Sequence, residues 1–283
     1  MIPISIIIPA FNEESGIAVT INKIQEVLKQ HDFEIIVVND GSTDKTHELA
    51  LACKVTVLKH HKNLGYGASL KSGIKAAKFD YILITDADGT YPPSAMPELI
   101  SKADQADMVV GARTGKNVNI PFMRKFPKWC LRKLANYICD RKLPDLNSGL
   151  RIFKKEDANR FLSILPNGFS FTTTITMALI CSDKVVEYIS IDYNRRKGIS
   201  KIRPIRDTMN FLILIIRLCL YFEPLKIFLP LSLVLGLSSL AWIIWTAITT
   251  HNITDAGVLT FIISLQFTVM GFLADLIVKK REK

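Results

Sequence analysis

The chain has 283 residues, 49% of them hydrophobic, and a formal net charge of +10. That length holds one sizeable domain plus something smaller, and the apolar content is high for a wholly soluble protein. The positive balance suits an anionic membrane surface or nucleic acid, and a sequence without a zinc-ligand cluster or a tandem aromatic pattern disfavours the second. Five cysteines (Cys53, Cys130, Cys139, Cys181, Cys219) are scattered and odd in number, which fits a reducing compartment. Met1-Ile2-Pro3-Ile4 places no basic residue ahead of its apolar run, so no cleavable signal peptide is expected.

Ile4 to Ile8 is a continuous β-branched run ended by Pro9, the pattern of a strand buried on both faces. Asn12-Glu13-Glu14-Ser15 follows, then an amphipathic helix from about Gly16 to Gln30. Phe33 to Val38 reads as a second strand, closing on Asn39-Asp40-Gly41-Ser42-Thr43-Asp44. Ser42 or Thr43 is expected to cap the next helix, which runs through Leu51. Val55 to Leu58 is a third strand, followed by the turn Asn63-Leu64-Gly65-Tyr66-Gly67 and a helix to about Lys78. His60 and His61 lack a metal-spaced partner and receive no role. Tyr81 to Thr85 is the fourth strand, and it runs into Asp86-Ala87-Asp88-Gly89.

Strands alternating with helices predict an α/β fold, a mostly parallel sheet flanked by helices, with ligands beyond the strands' C-terminal ends. Three acidic turns converge there: Asn12-Glu13, Asp40 and Asp86-Ala87-Asp88. Two carboxylates spaced i, i+2 at a strand end suit a hard divalent cation, whereas an Asp-Gly turn by itself would need only their backbone preferences.

A further strand is expected at Met108 to Val110, ahead of Gly111-Ala112-Arg113. From Arg113 to Lys133 there is no acidic residue, and Phe126, Cys130 and Leu134 recur at helical spacing among basic residues. That composition suits a helix on a membrane surface or an ordinary amphipathic helix. Phe169 to about Ser182 reads as a helix and Val185 to Tyr193 as a late strand. Among Arg195, Arg196, Lys197, Lys201, Arg203 and Arg206, the spacing of Arg195 and Lys201 around Gly198 and Ser200 favours an anion site. Lys197, Arg203 and Arg206 suit lipid headgroups. Phe211 to Phe222 is too short to span and reads as an interfacial helix. Ile227 to Thr254 and Ala256 to Ala274 contain no Asp, Glu, Lys or Arg, and each is long enough to cross a bilayer. Basic residues flank both spans and none lies between them, so both termini are expected in the cytoplasm. Asp275 is expected to pair with Lys279, and Gly236, Ser238 and Ser239 could pack the hairpin against another copy.

Pro9-Ala10-Phe11-Asn12-Glu13-Glu14, Val38-Asn39-Asp40-Gly41-Ser42-Thr43-Asp44 and Asp86-Ala87-Asp88-Gly89 together resemble the family 2 inverting glycosyltransferases, which have the GT-A fold. Asp145-Leu146-Asn147-Ser148-Gly149-Leu150-Arg151-Ile152-Phe153 and Arg195-Arg196-Lys197-Gly198-Ile199-Ser200-Lys201 resemble acceptor-side elements of dolichol-phosphate mannose synthases and polyprenyl-phosphate hexose synthases. The resemblance implies transfer of a hexose from a nucleotide diphosphate sugar to a polyprenyl phosphate. In it, Pro9, Phe11, Glu13, Val38, Asp40, Asp86 and Ala87 form the nucleotide-sugar site, and Asp86 and Asp88 hold Mg²⁺ or Mn²⁺. Asp88, Arg113, Arg195 and Lys201 serve the transfer, and Arg124 and Ser200 serve the acceptor phosphate. Thr90 stands where this subfamily often has Gln, which leaves a third metal ligand open, and Phe11 replaces a frequent Tyr.

The implied layout is a cytoplasmic GT-A domain over 1–202, an interfacial helix over 203–224, a transmembrane hairpin over 225–278 and a basic tail over 279–283. Rival readings are a glycosyltransferase for another membrane lipid such as diacylglycerol, and a non-catalytic membrane partner that binds nucleotide sugar.

Overall fold

The structure, a computed structural model, describes residues 2–114, 133–168, 170–193, 213 and 215–282. The chain divides into two compact units, Met1–Phe211 and Leu212–Lys283.

The first unit is built on a seven-stranded sheet of β1 (Ile4–Ala10), β2 (Phe33–Asn39), β3 (Thr56–Lys59), β4 (Tyr81–Ile84), β5 (Met108–Ala112), β6 (Arg151–Lys154) and β7 (Val186–Ser190). Its spatial order is β3-β2-β1-β4-β6-β5-β7. The β-branched run of β1 is buried at every residue, because β2 and β4 pair with it in parallel on either side. Helices α1 (Ile17–Val27), α2 (Thr46–Ala52), α3 (Tyr66–Ala76) and α4 (Met96–Lys102) connect the successive strands. In α1 the buried residues Ile17, Thr20, Ile21 and Ile24 form one helical face. Each of its isoleucines contributes roughly 1.5–3 kcal/mol by burial.

The mostly parallel α/β sheet is as expected, with one departure. β6 runs antiparallel to both β4 and β5, bringing Arg151 opposite Ile84 and Val110. The segment before it therefore enters at the edge where the parallel strands end. Among the described residues α5 (133–139) precedes it, and α6 (Lys155–Phe161) and α7 (Phe171–Cys181) follow it. Helix ends also shift: α1 stops at Val27 because the apolar face closes with buried Leu28, and α3 stops where Ala77 turns extended.

The second unit holds α8 (215–222), α9 (Leu225–Thr250) and α10 (Asp255–Glu282). Two spans in it, Leu225–Thr250 and Asp255–Lys280, have mean hydropathies of 2.2 and 2.0 and are long and apolar enough to cross a membrane. Hydroxyls of Ser232, Ser239, Thr246 and Ser264 donate to carbonyls three or four residues back, so these buried polar groups are satisfied without water. The small residues are used inside the hairpin: a side chain at Gly236 would meet Ser264 Oγ at 3.2 Å, and Ser239 is buried while Ser238 is exposed. Lys279 pairs with Asp275 at 2.8 Å, as expected.

Candidate active site

The turns after β1 and β2 are latched together by their own polar residues. Asn12 adopts a left-handed backbone (φ 54°), which turns its amide onto Ser42 Oγ at 3.0 Å and its Oδ1 onto the Thr43 amide at 2.9 Å. The Glu13 amide donates to Thr46 Oγ1 at 2.9 Å. Ser42 and Thr43 are thus committed to Asn12 and do not cap α2. Asp44 bridges the two turns, accepting the Thr46 amide at 3.0 Å and the Glu14 amide at 3.2 Å. Partial burial would raise the Asp44 carboxyl, but these hydrogen bonds bring it below its ordinary value.

Pro9 and Val38 are register neighbours in the sheet. Val38 is wholly buried. Phe11 and Glu13 are half-buried at the end of β1, on the same edge. Asp40 is buried, and its carboxylate faces the following segment of the chain. Oδ1 accepts the Leu64 amide at 2.9 Å, Oδ2 accepts the Gly65 amide at 2.8 Å, and His60 Nδ1 lies 2.7 Å from Oδ1. The resemblance implies that Asp40 meets the nucleotide, and in the structure its carboxylate is bonded to these three protein groups.

β4 ends at Ile84, so Asp86 and Asp88 sit in the turn beyond the strand and strand alternation does not orient them. The turn is seated on α1, where Thr20 Oγ1 donates to the Ala87 carbonyl at 3.0 Å and the Ala87 side chain is buried. Each carboxylate is aimed by a hydroxyl. Tyr66 donates to Asp86 Oδ1 at 3.1 Å, and Thr90 donates to Asp88 Oδ1 at 2.6 Å through its hydroxyl and at 3.1 Å through its amide. Burial pushes the Tyr66 phenol well up, and the charge of Asp86 adds to that, so Tyr66 remains a donor. Thr90 is fully buried and bonded to Asp88, which makes it a support for that carboxylate and not a third ligand.

Gly149 lies against the other side of Asp86: a Cβ there would come within 2.8 Å of Asp86 Oδ1. Its amide donates to Tyr91 Oη at 2.6 Å, and Tyr91 packs edge-on against Tyr193 with ring centroids 5.3 Å apart. Both carboxylates are half-exposed, and two such oxygen donors fit a hard divalent ion that takes its remaining ligands from diphosphate and water. Among the described residues no group of three or more His, Cys, Asp or Glu is placed to hold a metal by protein alone.

Arg113 leaves the end of β5 and forms a fork with Asp145, Nε at 2.7 Å from Oδ2 and Nη2 at 2.9 Å from Oδ1. Its guanidinium also lies over the Tyr193 ring, 5.2 Å from the centroid. Burial would pull Arg113 down, but Asp145 more than offsets this and pushes it up. Burial would raise Asp145, and Arg113 holds it below the usual carboxylate range. The pair commits two of the guanidinium's five donors, leaving it able to meet an anion as well.

Several residues of the site carried no such expectation. Arg151 is fully buried, and its guanidinium bonds the Ser148 carbonyl, the Thr172 carbonyl at 2.8 Å and Thr176 Oγ1 at 2.7 Å. It ties the 145–149 loop to α7. Tyr66, Tyr91 and His60 also enter only through tertiary contact. A signal existed for Arg151 in its place within the quoted stretch Asp145 to Phe153, but nothing local marks the tyrosines. Arg124, Arg195, Ser200 and Lys201 lie outside the described residues.

The chain is 25% identical over 300 residues to a dodecaprenyl-phosphate galacturonate synthase of Rhizobium johnstonii, covering 98% of this chain and 88% of that protein. It is 33% identical over 207 residues to a bactoprenol glucosyl transferase of Shigella phage SfV, covering 70% of this chain and 66% of the other. In structure it is similar to glucosyl-3-phosphoglycerate synthase from Mycobacterium tuberculosis, solved with Mn²⁺, uridine diphosphate and phosphoglyceric acid. The TM-score is 0.61 at 20% identity, covering 77% of this chain and 78% of the other, which establishes a GT-A-like fold. Residues 223–279 match the GtrB C-terminal hairpin. Residues 5–162, with the acidic turns at the ends of β1, β2 and β4, match Glycosyl transferase family 2, and the chain belongs to that family.

Proposed function

We propose that the protein transfers a hexose from a nucleotide diphosphate sugar to a polyprenyl phosphate at the cytoplasmic membrane face. One observation carries the reading: a pre-aimed carboxylate pair, Asp86 and Asp88, and a fixed cation, Arg113, stand at the same sheet edge of a chain that ends in two bilayer-length helices. The relatives named for polyprenyl-phosphate and bactoprenol substrates support the acceptor class.

In the proposed reaction the bond from the sugar's anomeric carbon to the diphosphate breaks, and a bond to a phosphate oxygen of the lipid forms. The nucleoside diphosphate departs with its electron pair. The nucleophile is a phosphate oxygen, already ionised at neutral pH because the second pKa of a phosphomonoester is about 6, so no general base is required. A single displacement inverts the anomeric centre. Asp86 and Asp88 would hold Mg²⁺ or Mn²⁺, which when bound neutralises charge on the diphosphate. Arg113 supplies fixed positive charge, rigidified by Asp145, where two anionic substrates must meet. Arg195 and Lys201 are proposed to act with it, and Arg124 and Ser200 to contact the acceptor phosphate.

The test is sugar transfer by the purified full-length protein, using radiolabelled UDP-glucose, UDP-N-acetylglucosamine and GDP-mannose with polyprenyl phosphate. The expected product is a lipid whose label is released by mild acid, as a sugar phosphate would be. Asp88→Ala is expected to reduce transfer by at least about 100-fold, since it removes half of the protein's metal donors. Acid-stable labelled lipid, or full activity in Asp88→Ala, would contradict the reading.

A further inference from the structure

His60 sits just after β3 and takes no part in the chemistry above, yet it is held at both ends. Nδ1 lies 2.7 Å from Asp40 Oδ1 and Nε2 lies 2.9 Å from Ser72 Oγ on α3. A carboxylate only accepts, so Nδ1 carries the proton toward Asp40, and the Ser72 hydroxyl, which can donate or accept, engages Nε2. The His60 backbone amide donates to the Asn39 carbonyl at 2.9 Å, which fixes the ring beside Asp40.

Asp40 does not end this chain of contacts. Its oxygens take the amides of Leu64 and Gly65 at 2.9 and 2.8 Å, the two residues that lead into Tyr66 at the start of α3. Gly65 has a φ of 106°, and a side chain there would strike the Asn167 carbonyl at 2.5 Å. The turn is therefore narrow and strongly determined, and it delivers the Tyr66 hydroxyl to Asp86 at 3.1 Å.

We propose that His60 is a positioning residue of the donor site, orienting Asp40 so that the 64–66 turn holds Tyr66 against the metal-side carboxylate Asp86. The role rests on the reading of Asp86 as a donor-site carboxylate. His60 touches neither substrate nor metal; it acts through two intermediaries. Asp40, in a motif expected to meet the nucleotide, here works mainly as the link between His60 and the turn. Groups one shell out from a metal site typically change its affinity 10–100-fold when lost. A group further out belongs at the low end of that range.

The experiment uses full-length protein in detergent and the variants His60→Phe, His60→Asn, Tyr66→Phe and the double variant His60→Phe with Tyr66→Phe. Mn²⁺ affinity is read by electron paramagnetic resonance of the free ion, and KM is measured separately for nucleotide sugar and for polyprenyl phosphate. His60→Phe is expected to weaken Mn²⁺ binding about 10-fold and raise the donor KM, with the acceptor KM unchanged. His60→Asn, whose amide N–H can replace Nδ1, is expected to recover to within about threefold of wild type. Because His60 and Tyr66 act in series, the double variant should be no weaker than the weaker single variant. Wild-type Mn²⁺ affinity in His60→Phe, or a double variant whose loss is the full product of the two, overturns the proposal. If His60→Phe does not fold, Ser72→Ala in the wild-type and His60→Asn backgrounds replaces it. A loss of affinity confined to the wild-type background supports the relay, and an equal loss in both overturns it. Mn²⁺ binding needs neither sugar nor lipid. A wild type that binds Mn²⁺ but transfers nothing to polyprenyl phosphate would therefore sink the functional reading and leave this one standing.

Discussion

At the level of single residues, each charged group of the site is oriented by a partner. Thr90 holds one oxygen of Asp88, Tyr66 holds one oxygen of Asp86, and Asp145 holds two donors of Arg113. The Arg113–Asp145 fork is the one with a measurable acid signature. The folded-state carboxyl of Asp145 is depressed below its ordinary value, so its contribution is full above the unfolded pKa of about 3.9. It is lost as pH falls from there through the depressed folded value, while Arg113 stays charged throughout. Asp145→Asn is expected to cost about 2–3 kcal/mol at pH 7, less than a fully buried pair, because both side chains keep some exposure. The difference between wild type and Asp145→Asn, measured by denaturant titration in detergent, should hold from pH 7 to about 5 and shrink below about 4. A gap that stays constant down to pH 3 would contradict the assignment.

At the level of elements, the acidic turns and the strands that carry them were legible because the information is local. β1 and β2 are β-branched runs, and buried parallel strands need little else. β6 was not legible. Its four residues, Arg151 to Lys154, offer two apolar side chains between two cations, and its antiparallel pairing is decided by β4 and β5. Thr90 was legible as a departure but not as a support, since only the fold buries its hydroxyl beside Asp88. His60 and Tyr66 find their partners across 20 positions of sequence, where no spacing rule reaches. The turn before β6 also makes a prediction. Gly149→Ala would bring a Cβ within 2.8 Å of Asp86 Oδ1 and 3.0 Å of its Cγ, so the carboxylate must move. The expected result is a fall in transfer of about 10–100-fold with a melting temperature near wild type, because Asp86 lies at the edge of the core. Unchanged kcat/KM in Gly149→Ala would show that the orientation of Asp86 is not critical.

For the whole molecule, the question is which side of the membrane carries the chemistry. Two bilayer-length helices joined by residues 251–254 place both ends of the hairpin on one face, and the short link puts His251 to Thr254 on the other. The link holds no Lys or Arg, whereas Lys226 stands in the first turn of α9 and Lys279, Lys280, Arg281 and Lys283 close the hairpin. That asymmetry predicts a link outside and a catalytic unit in the cytoplasm. The cysteines support a direct measurement. Cys53, Cys139, Cys181 and Cys219 are unbridged, and all precede the first span. In intact cells a membrane-impermeant maleimide is expected to leave the wild-type protein unlabelled and to label Asn252→Cys. After permeabilisation the half-exposed Cys53 should also react. Labelling of the wild type in intact cells together with protection of Asn252→Cys would invert the topology. It would also place Asp86 and Asp88 away from a cytoplasmic pool of nucleotide sugars, so the orientation and the donor class stand or fall on the same experiment.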